Sequence, residues 1–100
     1  MLALDGNKLT YLPYQIADLT SLIFLTASYN IISSLPINLS RMESLEALFL
    51  DNNLLNTIPR DTVRARNLKI FDCSDNPINE RQNFDVIEKL KGRLFIRARR

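Results

Sequence analysis

The chain has 100 residues, 46% of them hydrophobic and 24% charged, with a formal net charge of +2. That is one domain's worth of ordinary globular composition, and too small a charge to imply a polyanionic partner by itself. With no histidine, one cysteine and two glycines, the chain lacks the residues for imidazole catalysis, a CxxC metal or redox site, a disulfide framework or a glycine-rich phosphate loop. No apolar run reaches the roughly 20 residues of a membrane-spanning helix, and the opening MLALDGNKLT lacks the charged and apolar regions of a signal peptide.

In chain order, one unit recurs every 23 residues, opening at Leu22, Leu45 and Leu68, with a truncated copy entering at Leu2. A fixed period of this size marks a solenoid. Each unit begins with an alternating pair, Leu2/Leu4, Leu25/Ala27, Leu48/Leu50 or Phe71/Cys73, which predicts a short strand with one face inward. An asparagine follows, Asn7, Asn30, Asn53 or Asn76, then Leu9, Ile32, Leu55 or Ile78. An asparagine at a tight turn pairs with backbone groups that the turn leaves unbonded, and stacked copies would form a structural ladder.

The steps Leu12-Pro13, Leu35-Pro36 and Ile58-Pro59 open the return segments, roughly residues 12–21, 35–44 and 58–67. Apolar residues at Leu12, Ile16 and Leu19, and at Leu35, Leu39 and Met42, predict helical turns laid against the back of the sheet. The third copy is poorer, with Thr62 and Ala65 in place among Arg60, Arg64 and Arg66. A shift of one residue would bring in Val63, and this segment is expected to be the least tightly packed.

After Ile78, the run NERQNFDVIEKLKG predicts an amphipathic helix carrying Phe84, Ile87 and Leu90, with Gly92 as its stop signal. RLFIRARR then reads as a terminal strand, and a 23-residue count sets Leu94 and Ile96 beside Phe71 and Cys73. Its Arg93, Arg97, Arg99 and Arg100 would charge a sheet edge and discourage strand addition there. The reading is one domain over 1–100, with repeats at about 1–21, 22–44, 45–67 and 68–79 and a terminal helix and strand over 80–100. Starting inside a repeat with nothing to cover its first edge, the chain is expected to be a fragment of a longer repeat protein, or to act as a monomer or an edge-paired homodimer.

The pattern LxxLxLxxNxL followed by xxLPxxLxxLxx resembles the leucine-rich repeat family over nearly the whole chain. The 23-residue, Leu-Pro version looks most like intracellular members, such as the plant Ras-group-related repeat proteins and the animal Ras-pathway scaffolds. The resemblance implies an α/β fold, a right-handed solenoid with a short parallel sheet on its concave face and helical or 3-10 turns on the convex side. It also implies partner binding on the concave face. Secreted members usually close their ends with disulfide caps, which the lone Cys73 cannot do, so a reducing cytoplasmic or nuclear setting is expected.

Outward strand positions alternate with inward ones, which nominates Phe24, Thr26, Ser28, Tyr29, Phe49, Asp51, Asn52, Ile70, Asp72 and Asp75 as the partner-binding set. Aromatic centres within a polar surround are typical of hot-spot surfaces, and the aspartates favour a partner bearing lysine or arginine. The plainer account of Phe24 and Phe49 is mutual cover across neighbouring strands. Solvated strand-end carboxylates explain Asp51, Asp72 and Asp75 better than a metal cage or acid pair does. The expected function is a non-enzymatic signalling or scaffold module that binds a protein or peptide, with no catalytic residue, metal or cofactor. The alternative is an anionic ligand, nucleic acid or acidic lipid, held by Lys89, Lys91, Arg93, Arg97, Arg99 and Arg100, with Phe95 as the one stacking ring. Nucleic acid and membrane are disfavoured, because charge runs at a chain end are usually solvated.

Overall fold

A computed structural model describes residues 1–36 and 38–98. Strands β1 (Leu2–Ala3), β2 (Phe24–Thr26), β3 (Ala47–Phe49), β4 (Ile70–Asp72) and β5 (Phe95–Arg97) form one parallel sheet in chain order. Parallel neighbours need a crossover, and here each crossover returns behind the sheet as one coil. The first three crossovers use 3-10 turns, Tyr14–Asp18, Leu39–Arg41 and Arg60–Arg64. The fourth uses an α-helix, α1 (Phe84–Lys91).

The register runs Leu2, Leu25, Leu48, Phe71 and Ile96 across the sheet. The step is 23 residues as far as Phe71 and then 25. Ile96 therefore stands beside Phe71, and the count that set it beside Cys73 is corrected by two residues. The two extra residues belong to the fourth crossover, which carries an eight-residue α-helix in place of a 3-10 turn of three to five residues. An even shift preserves the faces of a strand, so Ile96 still points inward. Gly92 follows the helix with an ordinary φ of −71°, so its backbone freedom is not what ends α1.

Inward residues Leu25, Ala27, Leu48, Leu50, Phe71 and Cys73 have no exposed surface, and Ile32 and Leu55 join them from the turns. The core thins at both ends, because Leu2, Leu4 and Leu9 in the first coil and Ile96 and Ala98 in the last are only partly buried. Thr62 and Ala65 hold the positions of Leu39 and Met42 and are buried, so no shift to Val63 occurs. The cost is the Thr62 hydroxyl, buried without a hydrogen-bond partner among the described residues. The first return segment, rather than the third, is the least covered, with Leu19 44% exposed. The third is closed by Arg93, whose Nη1 donates to the Ala65 carbonyl at 3.1 Å.

Between the coils, each internal asparagine bonds in three directions. Asn53 Nδ2 donates to Leu50 O in its own turn and to Ala27 O in the preceding coil, while its Oδ1 accepts the Ile32 N–H at 3.0 Å. Asn30 repeats this with Ala27 O, Leu4 O and Leu9 N–H, and Asn76 with Cys73 O, Leu50 O and Leu55 N–H. Asn7 is exposed and, among the described residues, makes the local bonds alone, to Leu4 O and Asp5 O. A fourth buried asparagine, Asn83 at the start of α1, accepts the Ile58 N–H at 2.9 Å and donates to Asn56 O. Each buried group left unpaired costs about 1–3 kcal/mol. Asn53→Ala is therefore expected to lower stability by about 2–4 kcal/mol in urea denaturation and Asn7→Ala by about 1 kcal/mol or less; equal losses would contradict the ladder.

Candidate functional site

The open face of the sheet carries the outward side chains in rows across the strands. One row is Phe24, Ala47, Ile70 and Phe95, and the next is Ala3, Thr26, Phe49, Asp72 and Arg97. Beyond the strand ends the same pairing continues, with Gly6 N–H donating to Ser28 O, Tyr29 N–H to Asp51 O and Asn52 N–H to Ser74 O. A third row, Asp5, Ser28, Asp51 and Ser74, follows from that spacing.

Phe24 and Phe49 lie diagonally on neighbouring strands, their ring centroids 5.2 Å apart and their planes tilted by 30°. That separation suits an attractive aromatic pair. Both rings nevertheless stay partly exposed, so mutual cover does not remove them from the surface. Around them, carboxylates are held by donors from adjacent coils. Asp5 Oδ1 accepts the Thr26 hydroxyl at 2.6 Å and the Ser28 N–H at 2.7 Å. Asp51 accepts the Ser28 hydroxyl at 2.5 Å on one oxygen and Asn52 Nδ2 at 2.9 Å on the other. Asp72 accepts the Ser74 N–H and hydroxyl, and Arg97 faces its second oxygen at 3.7 Å.

Of the nominated residues, Phe24, Thr26, Phe49, Ile70 and Asp51 come together on the open face. Ser28 and Asp72 stand in the same outward rows but are buried, at 7% and 8% exposure, each hydrogen-bonded to its neighbours. Tyr29, Asn52 and Asp75 stand just past the strands, where the chain turns through φ of 57°, 59° and 55°. Gly6 takes the same conformation in the first coil, at 69°. Glycine, asparagine and aspartate accept this left-handed region readily, and a tyrosine does not. Tyr29 is nonetheless held there and is 64% exposed.

Several surface residues escaped the reading of strand positions. Phe95 and Arg97 belong to the open face, and the alternation around Ile96 contains the signal for both. Ile31 and Leu54 are exposed, each directly after a ladder asparagine. Within the described residues the basic tail is divided. Arg93 reaches the carbonyls of the third return segment while Arg97 faces Asp72, and Arg99 and Arg100 lie outside the described residues. Arg60, Arg64 and Arg66 are exposed on the return side. Cys73 offers no nucleophile, because burial, followed by the neighbouring Asp72 charge, pushes its thiol up to about 12. Among the described residues, no three histidine, cysteine, aspartate or glutamate side chains gather in a metal-binding arrangement.

No family model and no curated protein matches the chain. Among solved structures it is similar to a leucine-rich repeat protein of Leptospira interrogans, with 31% sequence identity and a TM-score of 0.86 over 96% of this chain. The chain belongs to the leucine-rich repeat family. It spans 25% of the length of that Leptospira protein. As a leucine-rich repeat unit it has the α/β solenoid architecture, in which the asparagine ladder fixes the back of each turn and the position before each asparagine must be left-handed. Replacing Tyr29 by asparagine, the residue at position 52 in the same conformation, is expected to stabilise the fold by about 1 kcal/mol. Urea denaturation checks this, and a loss of stability would show that the tyrosine ring supports the fold.

Proposed function

We propose that this leucine-rich repeat unit is a non-enzymatic protein-interaction module whose open, concave face receives a protein or peptide segment. The observation that carries the reading is the Phe24–Phe49 pair, in contact yet still partly exposed, standing beside carboxylates at Asp5 and Asp51. Ile70 extends the apolar floor, Thr26 adds a hydroxyl, and Tyr29, Asn52 and Asp75 form the margin at the strand ends. An apolar side chain on the rings with a lysine or arginine toward the carboxylates would match both features. Tyr29 supports this, since an exposed aromatic kept in a costly backbone conformation is better accounted for by binding than by folding.

Size sets the kind of partner. Five strands spaced by about 4.8 Å, each showing three or four residues, present on the order of 300 Å² of sheet. A standard interface takes about 800 Å² per partner, so these 100 residues by themselves would hold a short segment or one part of a larger partner. A monomer suffices for such a site. A scaffold or signalling role in a reducing, cytoplasmic setting fits the single buried thiol. An anionic partner has less support, since Arg93 and Arg97 are engaged with other parts of the chain.

Selection of peptides from a random displayed library against the 100-residue chain tests the proposal. Enriched sequences should combine an apolar residue with lysine or arginine, and Phe49→Ala should weaken them by tenfold or more while leaving circular dichroism unchanged. Peptides that bind wild type and Phe49→Ala equally would contradict the open-face reading.

A further inference from the structure

We propose a second interaction surface, on the return side and apart from the open face: Arg60, Arg64 and Arg66 of the third coil bind an acidic segment of a partner protein.

The ion pairs supply the first argument. Among the described residues three of them join neighbouring coils: Arg41 with Asp18 at 3.3 Å, Lys69 with Glu46 at 3.2 Å and Arg97 with Asp72 at 3.7 Å. Stacking at a fixed step brings such charges side by side, so these cations are matched by a carboxylate one coil away. Arg60, Arg64 and Arg66 break that rule. They are exposed, and among the described residues no carboxylate stands within ion-pair distance of them. One 23-residue step back from Arg64 is Arg41, another cation and already paired. The acid within the segment is committed elsewhere, because Asp61 accepts the Ser40 N–H at 2.8 Å on one oxygen and the Ser40 hydroxyl at 2.9 Å on the other. Arg93 reaches the same segment, donating to Ala65 O at 3.1 Å, and adds a guanidinium there. The third return segment thus concentrates positive charge that a carboxylate-bearing partner would neutralise.

The surface between the coils supplies the second argument. Arg64, Arg66, Ser40, Glu43 and Asn67 line a depression of about 850 Å³ between the second and third return segments. Asn67 Nδ2 donates to Glu43 O at 2.6 Å and ties its two sides together. Glu43 forms no ion pair with either arginine among the described residues. Both guanidinium forks are therefore open to an incoming carboxylate, and Glu43 itself would repel it. No aromatic ring lines the depression among the described residues, so it lacks the stacking platform on which single-stranded nucleic acid is held. Arg60 and Arg64 stand at the two ends of their 3-10 turn, separated by about 8 Å of rise, the length of two or three residues of extended chain. A run of acidic side chains meets both, and a single carboxylate meets one.

Fluorescence anisotropy of a labelled octaglutamate peptide, titrated with the 100-residue chain, tests the surface. Saturable binding is expected, at least tenfold tighter than for an uncharged octapeptide of alternating glycine and serine. Arg64→Gln together with Arg66→Gln should weaken octaglutamate about tenfold or more, through the loss of charge-assisted bonds, and should leave circular dichroism unchanged because both side chains are exposed. Glu43→Gln should tighten it severalfold, since a repelling carboxylate is removed. Arg99→Gln with Arg100→Gln, and separately Phe49→Ala, should change it by less than about twofold, which sets this surface apart from the basic tail and from the open face. Equal binding of the two peptides, octaglutamate binding undiminished by the Arg64 and Arg66 changes, an equal loss from the Arg99 and Arg100 changes, or tighter binding of a thymidine oligonucleotide of eight nucleotides would overturn the proposal.

Discussion

A buried amide side chain at the turn is the constraint on which the rest of the structure depends. A parallel sheet of strands two or three residues long has few ladder bonds of its own, and each strand must be followed by a turn whose peptide groups face the next coil. Asn30, Asn53 and Asn76 pair those groups with the coil before them. The hydrophobic column of leucines can then close without stranded polar groups. Burial supplies the main driving force, and the ladder sets the spacing at which it is realised. The positive φ before each asparagine belongs to the same device, because it aims the side chain back along the solenoid.

Stacking at a fixed spacing also explains the character of the open face. Outward residues 23 apart are brought side by side, so a polar side chain in one coil meets the polar side chain of the next. Asp5, Thr26, Ser28 and Asp51 become one hydrogen-bonded chain across the first three coils. The face thus presents oriented carboxylates beside an aromatic pair, while the free arginines of the third coil, Arg60, Arg64 and Arg66, are exposed on the return side.

Much of this was legible in the sequence because the determinants are periodic. The strands, the ladder asparagines and the return segments follow from one 23-residue spacing. What escaped depends on contacts between coils or on a break in the period. Ser28 and Asp72 occupy outward positions, yet cross-coil and local hydrogen bonds bury them, and alternation alone cannot show that. The register of β5 moved because an α-helix replaced a 3-10 turn in the last crossover. Asn83 lies outside the repeat pattern, and its bond to the Ile58 amide joins positions 25 residues apart. Leu19 fits the apolar spacing of the return segments and is nevertheless 44% exposed.

Amide hydrogen exchange, read residue by residue on the 100-residue chain, tests the central dependence most directly. The N–H groups of Ile32 and Leu55, which donate to the side chains of Asn53 and Asn76, should exchange only through global unfolding, as slowly as the core strands. The Leu9 amide, bonded to Asn30 at the partly buried end, should exchange faster. Rapid exchange at Ile32 and Leu55, comparable with exposed turns, would contradict the account and leave leucine packing alone to hold the coils in register.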